Sequence, residues 1–304
     1  MIAVIDIGTN TFHLLIARII DEEHYEIVFR ESRFVRIARD GISPISPASL
    51  QRALDTLGHF VDVMKDYDIT SLRVVGTEAL RSASNAGELL RKAHDLYGLS
   101  IEIISGEEEA RLIFEGTIHA IPNYREPYLI MDIGGGSVEF IIAQDEKILW
   151  WGSFRLGVQY LYLKYNDNDP IHHTEISQLR NDLTDTLQPL KEAITQHRPV
   201  RLVGSSGSFE TLLSLAGVAS EANYIGLSPK VFREIFDRLI HTTLDERKAH
   251  PAIPVDRAEL IVIGFLLIEY VLTLFPVKEI VVSSFALREG LLYSGQGYGK
   301  LADS

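Results

Sequence analysis

The 304-residue chain contains no cysteine, which excludes disulfides, thiolate metal centres and cysteine nucleophiles and fits a reducing compartment. It also lacks a long apolar run. The most hydrophobic stretch, Leu260–Phe275, is too short to span a bilayer comfortably and is interrupted by Glu269, so it reads as a buried helix and no membrane partner is expected. No basic leader precedes the first apolar run, which follows Met1 directly, and a cytoplasmic location is the expectation. Positive charge is in the minority: 29 Lys and Arg against 42 Asp and Glu leave a net charge of −13. That balance argues against nucleic acid as a partner and against long electrostatic tracks for any polyanion. Anion binding has to rest on backbone amides, a few Arg or Lys, and metal. Neither a Ser-His-Asp set nor a metal-histidine pattern is apparent. His172 and His173 follow a polar loop at Tyr165–Pro170, but adjacent histidines usually point apart, and a loop position is the simpler reading.

Glycine, by contrast, is concentrated where it has chemical consequences. Leu129–Ala143 reads LIMDIGGGSVEFIIA, two apolar runs joined by a glycine turn, the pattern of a β-hairpin. Gly134, Gly135 and Gly136 carry no Cβ, so with Ser137 they form a turn whose N–H groups can approach a phosphate closely. Asp132 ends the incoming strand and Glu139 lies just inside the outgoing one. Two carboxylates beside such a turn suggest a hard divalent cation, Mg2+ or Mn2+, that takes oxygen ligands and bridges to phosphate. A variant of the stretch occurs earlier. Val4–Ala17 reads VIDIGTNTFHLLIA, in which Asp6 matches Asp132, Gly8 matches Gly134 and Ile16-Ala17 match Ile142-Ala143 without insertion. The repeat implies two related lobes. It gives Asp6 as a further metal ligand and Gly8, Thr9 and Asn10 as a second phosphate-contacting turn.

Length suggests two domains, and 46% hydrophobic with 23% charged residues is ordinary for a globular protein. Strands are expected at Tyr25–Phe29, Leu72–Val75, Ile101–Ile104, Lys147–Phe154, Val200–Val203 and Ile280–Val282. Helices open at Ser46-Pro47, at Asn85 with a capping box to Glu88, at Ser228-Pro229, and at Thr243 with Glu246. A long amphipathic helix is expected over Thr174–Gln196 and an apolar one over Asp256–Phe275. The tail after Gly295 is expected to fray. The helix at Glu107–Gly116 places three glutamates in its first turn, where the helix dipole favours negative charge; one of them could instead serve as a base. Gly204, Ser205, Ser206, Gly207 and Ser208 lie between a strand and a helix and suit either an anion or a plain serine cap. Alternating strands and helices give an α/β class. Pro122–Glu126 is a plausible hinge, which divides the chain into 1–121 and 122–304, with the last helix, about 286–304, able to pack back on the first domain.

Taken in order, VIDIGTNTFHLLIA, GTEALR at Gly76–Arg81, IISGEEEARLIFEG at Ile103–Gly116, MDIGGGSVEF at Met131–Phe140, GSSGSFETL, DRAELIVIG at Asp256–Gly264 and ALREGLLY at Ala286–Tyr293 resemble the exopolyphosphatase/guanosine pentaphosphate phosphohydrolase (Ppx/GppA) family. The resemblance covers nearly the whole chain. It implies two actin-like, ribonuclease H-like domains with the active site in the cleft between them. It further implies Glu109 as the base for the attacking water, Asp132 and Glu139 as Mg2+ ligands, the two glycine turns as phosphate contacts and Arg81 on phosphate oxygens. The substrate implied is inorganic polyphosphate, or guanosine pentaphosphate (pppGpp) by the same chemistry, and a homodimer is common for such folds. Ser284-Phe285-Ala286 departs from the family pattern before Leu-Arg-Glu-Gly, and the C-terminal helical domains of longer members are missing. A different class, an actin-like protein that binds nucleotide without hydrolysing it, ranks behind these because such relatives lack the EEEAR helix.

Overall fold

The computed structural model describes residues 1–20, 24–41, 43–219 and 222–294. The chain divides into two compact units, Met1–Gly116 with the stretch from Leu287 onward, and Thr117–Ala286. The division falls inside a helix, and Pro122–Glu126 is an irregular connection within the second unit.

The first unit begins with β1 (Ile2–Ile7), β2 (Thr11–Ile19) and β3 (Tyr25–Phe34). It continues through α1 (Pro47–Met64), β4 (Ser71–Gly76), α2 (Glu78–Ser82), α3 (Ala86–Tyr97), β5 (Ile101–Ile103) and α4 (Gly106–Ile118). Its sheet runs β3-β2-β1-β4-β5; the hairpin strands are antiparallel, and β4 and β5 lie parallel to β1. All six residues of β1 are buried, as expected for a central strand covered on both faces. Ser46 caps α1 by accepting from the Ser49 N–H, and Leu50, Ala53, Leu57 and Phe60 turn inward at helical spacing.

The second unit holds β6 (Tyr128–Ile133), β7 (Val138–Gln144), β8 (Lys147–Phe154), α5 (Val158–Tyr165), α6 (His173–Thr186) and α7 (Gln188–His197). After these come β9 (Arg201–Ser205), α8 (Gly207–Leu215), β10 (Tyr224–Leu227), α9 (Pro229–Leu239), α10 (Leu244–Ala249), α11 (Ile261–Leu274) and β11 (Glu279–Ser283). The sheet order is β10-β11-β9-β6-β7-β8. Read from β8, it repeats the first sheet: an antiparallel run of three strands, then strands parallel to its inner member, β9 and β11. The repeat extends to a detail. Register slips between Ile16 and Ala17 in one sheet and between Ile142 and Ala143 in the other, the pair that matches in sequence. The last helix, α12 (Leu287–Tyr293), belongs to the first unit, where it packs on β1.

Several expectations are corrected. Thr174–Gln196 is two helices: Leu187 leaves helical geometry and Pro189, which has no N–H to donate, sits in the first turn of α7. Asn85 does not form a capping box with Glu88. Its amide instead clasps the Ile45 backbone, accepting from the N–H at 2.8 Å and donating to the carbonyl at 3.0 Å, while Glu88 pairs with Lys92. Residues 256–260 form turns, so the apolar helix starts at Ile261; its inward positions are buried, and Glu269 reaches Arg180. Among the described residues no helix is long and apolar enough to cross a membrane. The His172 and His173 rings do not point apart but lie 4.0 Å from each other, with His172 Nδ1 on the Thr174 hydroxyl. β10 was not anticipated. The tail after Gly295 lies outside the described residues.

Candidate active site

Each unit gathers its candidate residues at the carboxyl end of its parallel strands, where open α/β sheets hold their ligands. In the second unit the turn between β6 and β7 closes by Gly134 N–H donating to Ser137 O at 3.0 Å. The remaining carbonyls of the turn point one way. Gly134 O accepts from Val158 N–H, Gly135 O from Gln159 N–H and Gly136 O from Gly157 N–H, at 3.0, 2.9 and 3.1 Å. These donors are the start of α5, so the helix end and the turn satisfy each other's backbone groups. Because a trans peptide sets its N–H opposite its C=O, the amides of Gly135, Gly136 and Ser137 face away from α5. A run of N–H groups turned to one side is an anion-binding nest.

The first unit builds the same turn with different support. Gly8 N–H donates to Thr11 O at 3.1 Å. Asn10 O accepts from the N–H groups of Val35 and Arg36, and Thr9 O from that of Ile37, at 2.8 to 2.9 Å. Arg36 adopts the left-handed conformation (φ 50°) where the chain is stitched to the turn. A Cβ on Gly8 would stand 2.7 Å from Thr11 O and one on Gly134 2.9 Å from Ser137 O, so both turns require glycine at the same place for the same reason. Asn10 Oδ1 is buried with no hydrogen-bond partner among the described residues.

The carboxylates divide between the units. Asp132 faces Glu139 directly across the β6–β7 ladder, and both are buried. Asp132 Oδ1 accepts from the Ser205 hydroxyl at 2.6 Å and from the Ser206 hydroxyl, because Ser205 is its partner in the parallel β6–β9 pairing. Glu139 Oε1 accepts from the Ser153 hydroxyl at 2.7 Å. Two like charges opposite one another destabilise a sheet. An oxygen-only pair of this kind therefore suits a hard divalent cation, and the serine hydroxyls orient it as an outer shell. Among the described residues no group of three or more His, Asp or Glu converges as a preformed metal centre. Asp6, the counterpart of Asp132, is buried at the end of β1 and pairs in register with His13. Ser205 and Ser206 of the Gly204–Ser208 loop thus serve Asp132. Gly204 is confined by Phe209, Gly207 O accepts from Arg257, and Ser206 takes φ 72°.

Glu109 and Arg81 meet in the first unit. Glu109, in the first turn of α4, is buried, and its Oε2 accepts from Arg81 Nη1 at 2.7 Å. Arg81 also donates from Nη1 to Ile104 O and from Nε and Nη2 to Glu78 Oε2. Burial pulls the Arg81 pKa down, but Glu109 and Glu78 outweigh it and hold it above the ordinary value. The neighbouring Glu108 turns to Arg111 instead, which with Arg73 keeps its carboxyl below the ordinary range. The three glutamates are therefore not equivalent: Glu109 alone joins Arg81. Two contributors escape a reading of the sequence. One is Gly157, which meets the glycine turn, and the other is Glu78. The only signals were a glycine between a strand and a helix, and an acid three residues before Arg81.

Twin α/β units with duplicated glycine hairpins, and a buried glutamate paired with a half-buried arginine, have the donors that suit phosphate. The chain belongs to the Ppx/GppA phosphatase family, whose sequence pattern matches residues 15–298. It is similar to the crystal structure of an exopolyphosphatase from Cytophaga hutchinsonii, with 36% identity, a TM-score of 0.93 and 96% of each chain covered. A candidate exopolyphosphatase of Haemophilus influenzae is 28% identical over 308 residues, spanning 99% of this chain and 93% of that one. An Aquifex aeolicus Ppx/GppA enzyme shares the fold at 24% identity and a TM-score of 0.80, over 96% of this chain and 98% of that one.

Proposed function

We propose that the protein is an exopolyphosphatase, which hydrolyses the terminal phosphoanhydride of inorganic polyphosphate and releases orthophosphate. The observation that carries this reading is the buried Glu109 carboxylate held 2.7 Å from Arg81, in the unit that also carries the Gly8–Asn10 turn. Its likeness to the Cytophaga hutchinsonii exopolyphosphatase over 96% of the chain supports the choice of substrate. Glu109 takes a proton from water as the water oxygen bonds to the terminal phosphorus. The bridging P–O bond breaks, and its electron pair leaves with the chain shortened by one unit. Transfer of this kind passes through a loose transition state, so donors placed around the phosphoryl oxygens do most of the work. Arg81 and the amides of Thr9 and Asn10 are such donors in the first unit, and the amides of Gly135, Gly136 and Ser137 offer the same in the second; Gly8 and Gly134 close the two turns. Asp132 and Glu139 are the residues that would hold Mg2+ or Mn2+, with Asp6 as the corresponding carboxylate of the first unit; when bound, the ion neutralises phosphoryl charge.

The test is Glu109→Gln. Phosphate release from tripolyphosphate should fall by roughly 10²–10⁴-fold while tripolyphosphate still binds. Turnover at the wild-type rate would remove Glu109 as the base. A second substrate, pppGpp, gains weight from the net charge of −13, which disfavours long polyanions over short ones. Phosphate release from short polyphosphate, long polyphosphate and pppGpp, with and without Mg2+, decides between them.

A further inference from the structure

We infer that Glu78 is a positioning residue for this hydrolysis: it anchors one edge of Arg81, so that only the Nη1 arm is exchanged between Glu109 and a phosphoryl oxygen. The inference rests on the hydrolase reading above and adds to it how the base is released.

A guanidinium offers five N–H groups in a fixed plane. In this structure Nε and Nη2 are committed to Glu78 Oε2 at 3.2 and 3.0 Å, while Nη1 is shared between Glu109 Oε2 at 2.7 Å and Ile104 O at 2.9 Å. Glu78 is itself fixed, since its other oxygen accepts from the Ser82 hydroxyl and the residue is buried at the start of α2. Glu78 and Arg81 are three apart on that helix, a spacing that places them side by side.

The arrangement addresses a conflict in the chemistry. A carboxylate bound to an arginine at 2.7 Å is a poor base, because the pairing favours its charged form. Yet Arg81 is needed for the phosphoryl oxygens. If Glu109 were the only carboxylate on Arg81, the guanidinium would follow it and stay there. Glu78 supplies a second carboxylate that keeps the plane in place and offsets its charge. An incoming phosphoryl oxygen then needs to displace a single N–H bond, and Glu109 is free to face water.

The test compares Glu78→Ala, Glu78→Gln and Arg81→Ala with wild type on tripolyphosphate, alongside the double variant Glu78→Ala/Arg81→Ala. Glu78→Ala should lower kcat by roughly 10–100-fold, the range for a misplaced catalytic group, with KM changed by less than about twofold. Glu78→Gln, which keeps an acceptor of the same shape, should recover part of the loss. The double variant should be no slower than Arg81→Ala, because Glu78 acts through Arg81. An unchanged kcat, a rise confined to KM, or losses that multiply in the double variant would overturn the inference. Thermal melts identify a variant that fails to fold. If Glu78→Ala is one, Glu78→Gln decides: a several-fold lower kcat supports the inference and a wild-type kcat ends it. A wild-type protein that releases no phosphate from tripolyphosphate or pppGpp refutes the hydrolase reading itself, whereas an active wild type with an unaffected Glu78→Ala refutes only the role of Glu78.

Discussion

Gly157 provides the sharpest test of how the second glycine turn is held. Its backbone is ordinary, with φ −61° and ψ 154°, so any residue could adopt it and glycine is required for space alone. A Cβ there would lie 2.3 Å from both Gly135 C and Gly136 N. These are backbone atoms that cannot swing aside. Reaching ordinary contact at 3.4 Å needs a movement of about 1.1 Å, the difference between the two distances. Three of the four N–H···O bonds between the start of α5 and the turn, those at 2.9 to 3.1 Å, take up that movement. At about 1 kcal/mol each their loss costs up to about 3 kcal/mol, in line with typical overpacking penalties. The larger effect falls on chemistry, since a displacement of about 1 Å at a catalytic group costs roughly 10²-fold. Gly157→Ala should therefore lower urea stability by about 2–3 kcal/mol and phosphate release by roughly 10²-fold. Gly87→Ala is the control: it is exposed in α3 with nothing within 4 Å of an added Cβ, so it should be neutral or stabilise by up to about 1 kcal/mol. If Gly157→Ala matches wild type in both assays, α5 does not hold the turn as argued.

Three further outcomes are expected. Gly290→Ala puts a Cβ 1.8 Å from Leu112 O where α12 crosses α4; stability by urea melting should fall by about 3 kcal/mol, and a wild-type midpoint would contradict the packing. Ser205→Ala with Ser206→Ala removes both hydroxyl donors from Asp132 Oδ1, and the Mg2+ concentration for half-maximal activity should rise by roughly tenfold or more; no change would separate Asp132 from the metal. Glu175 is buried, which raises its pKa, but backbone N–H groups of His172, Asp167 and Asn168 outweigh this and hold it below 4.5. A lowered carboxylate pKa stabilises above the unfolded value and ceases to do so as pH falls through the folded one. Glu175→Gln should then cost on the order of 2 kcal/mol at pH 7, with the gap from wild type closing below pH 4.5; a gap that persists in acid would exclude this origin.

What could be read from the sequence was what is local along the chain. The two hairpins, their turn length and the Ser46, Ser228 and Thr243 caps follow from residues within a few positions of each other. Asn85 shows where such reasoning stops. Its position satisfies the capping rule, but Ile45 offers both a donor and an acceptor to one amide, and the distant backbone takes it. The broken helix at Leu187 has a similar cause: the amphipathic pattern continues across the break, and only Pro189 marks it. At the candidate site, residue types and their order along the chain singled out Asp132, Glu139 and Glu109 as candidates. Part of the support did not follow from them: Ser153 reaches Glu139 across the β7–β8 pairing, Ser205 reaches Asp132 across the β6–β9 pairing, and Gly157 meets the turn where α5 begins.

The duplicated hairpins also explain why the halves are not interchangeable. In the second, the residue across the ladder from Asp132 is Glu139; in the first, the residue across from Asp6 is His13, which bonds to Ser32 and Arg288. One hairpin thus carries paired carboxylates, and the other a carboxylate facing an imidazole tied to a cation. The turn itself is conserved between the copies in its closing hydrogen bond, its need for glycine and the bulge that follows in β2 and β7. What differs is the element stitched to its carbonyls: the start of α5 in one, the left-handed Arg36 segment in the other. Amide geometry was kept and side-chain chemistry divided. The facing carboxylates lie in one unit and the Arg81–Glu109 pair in the other, so the duplication kept the turn in both units and gave each a different set of charged side chains.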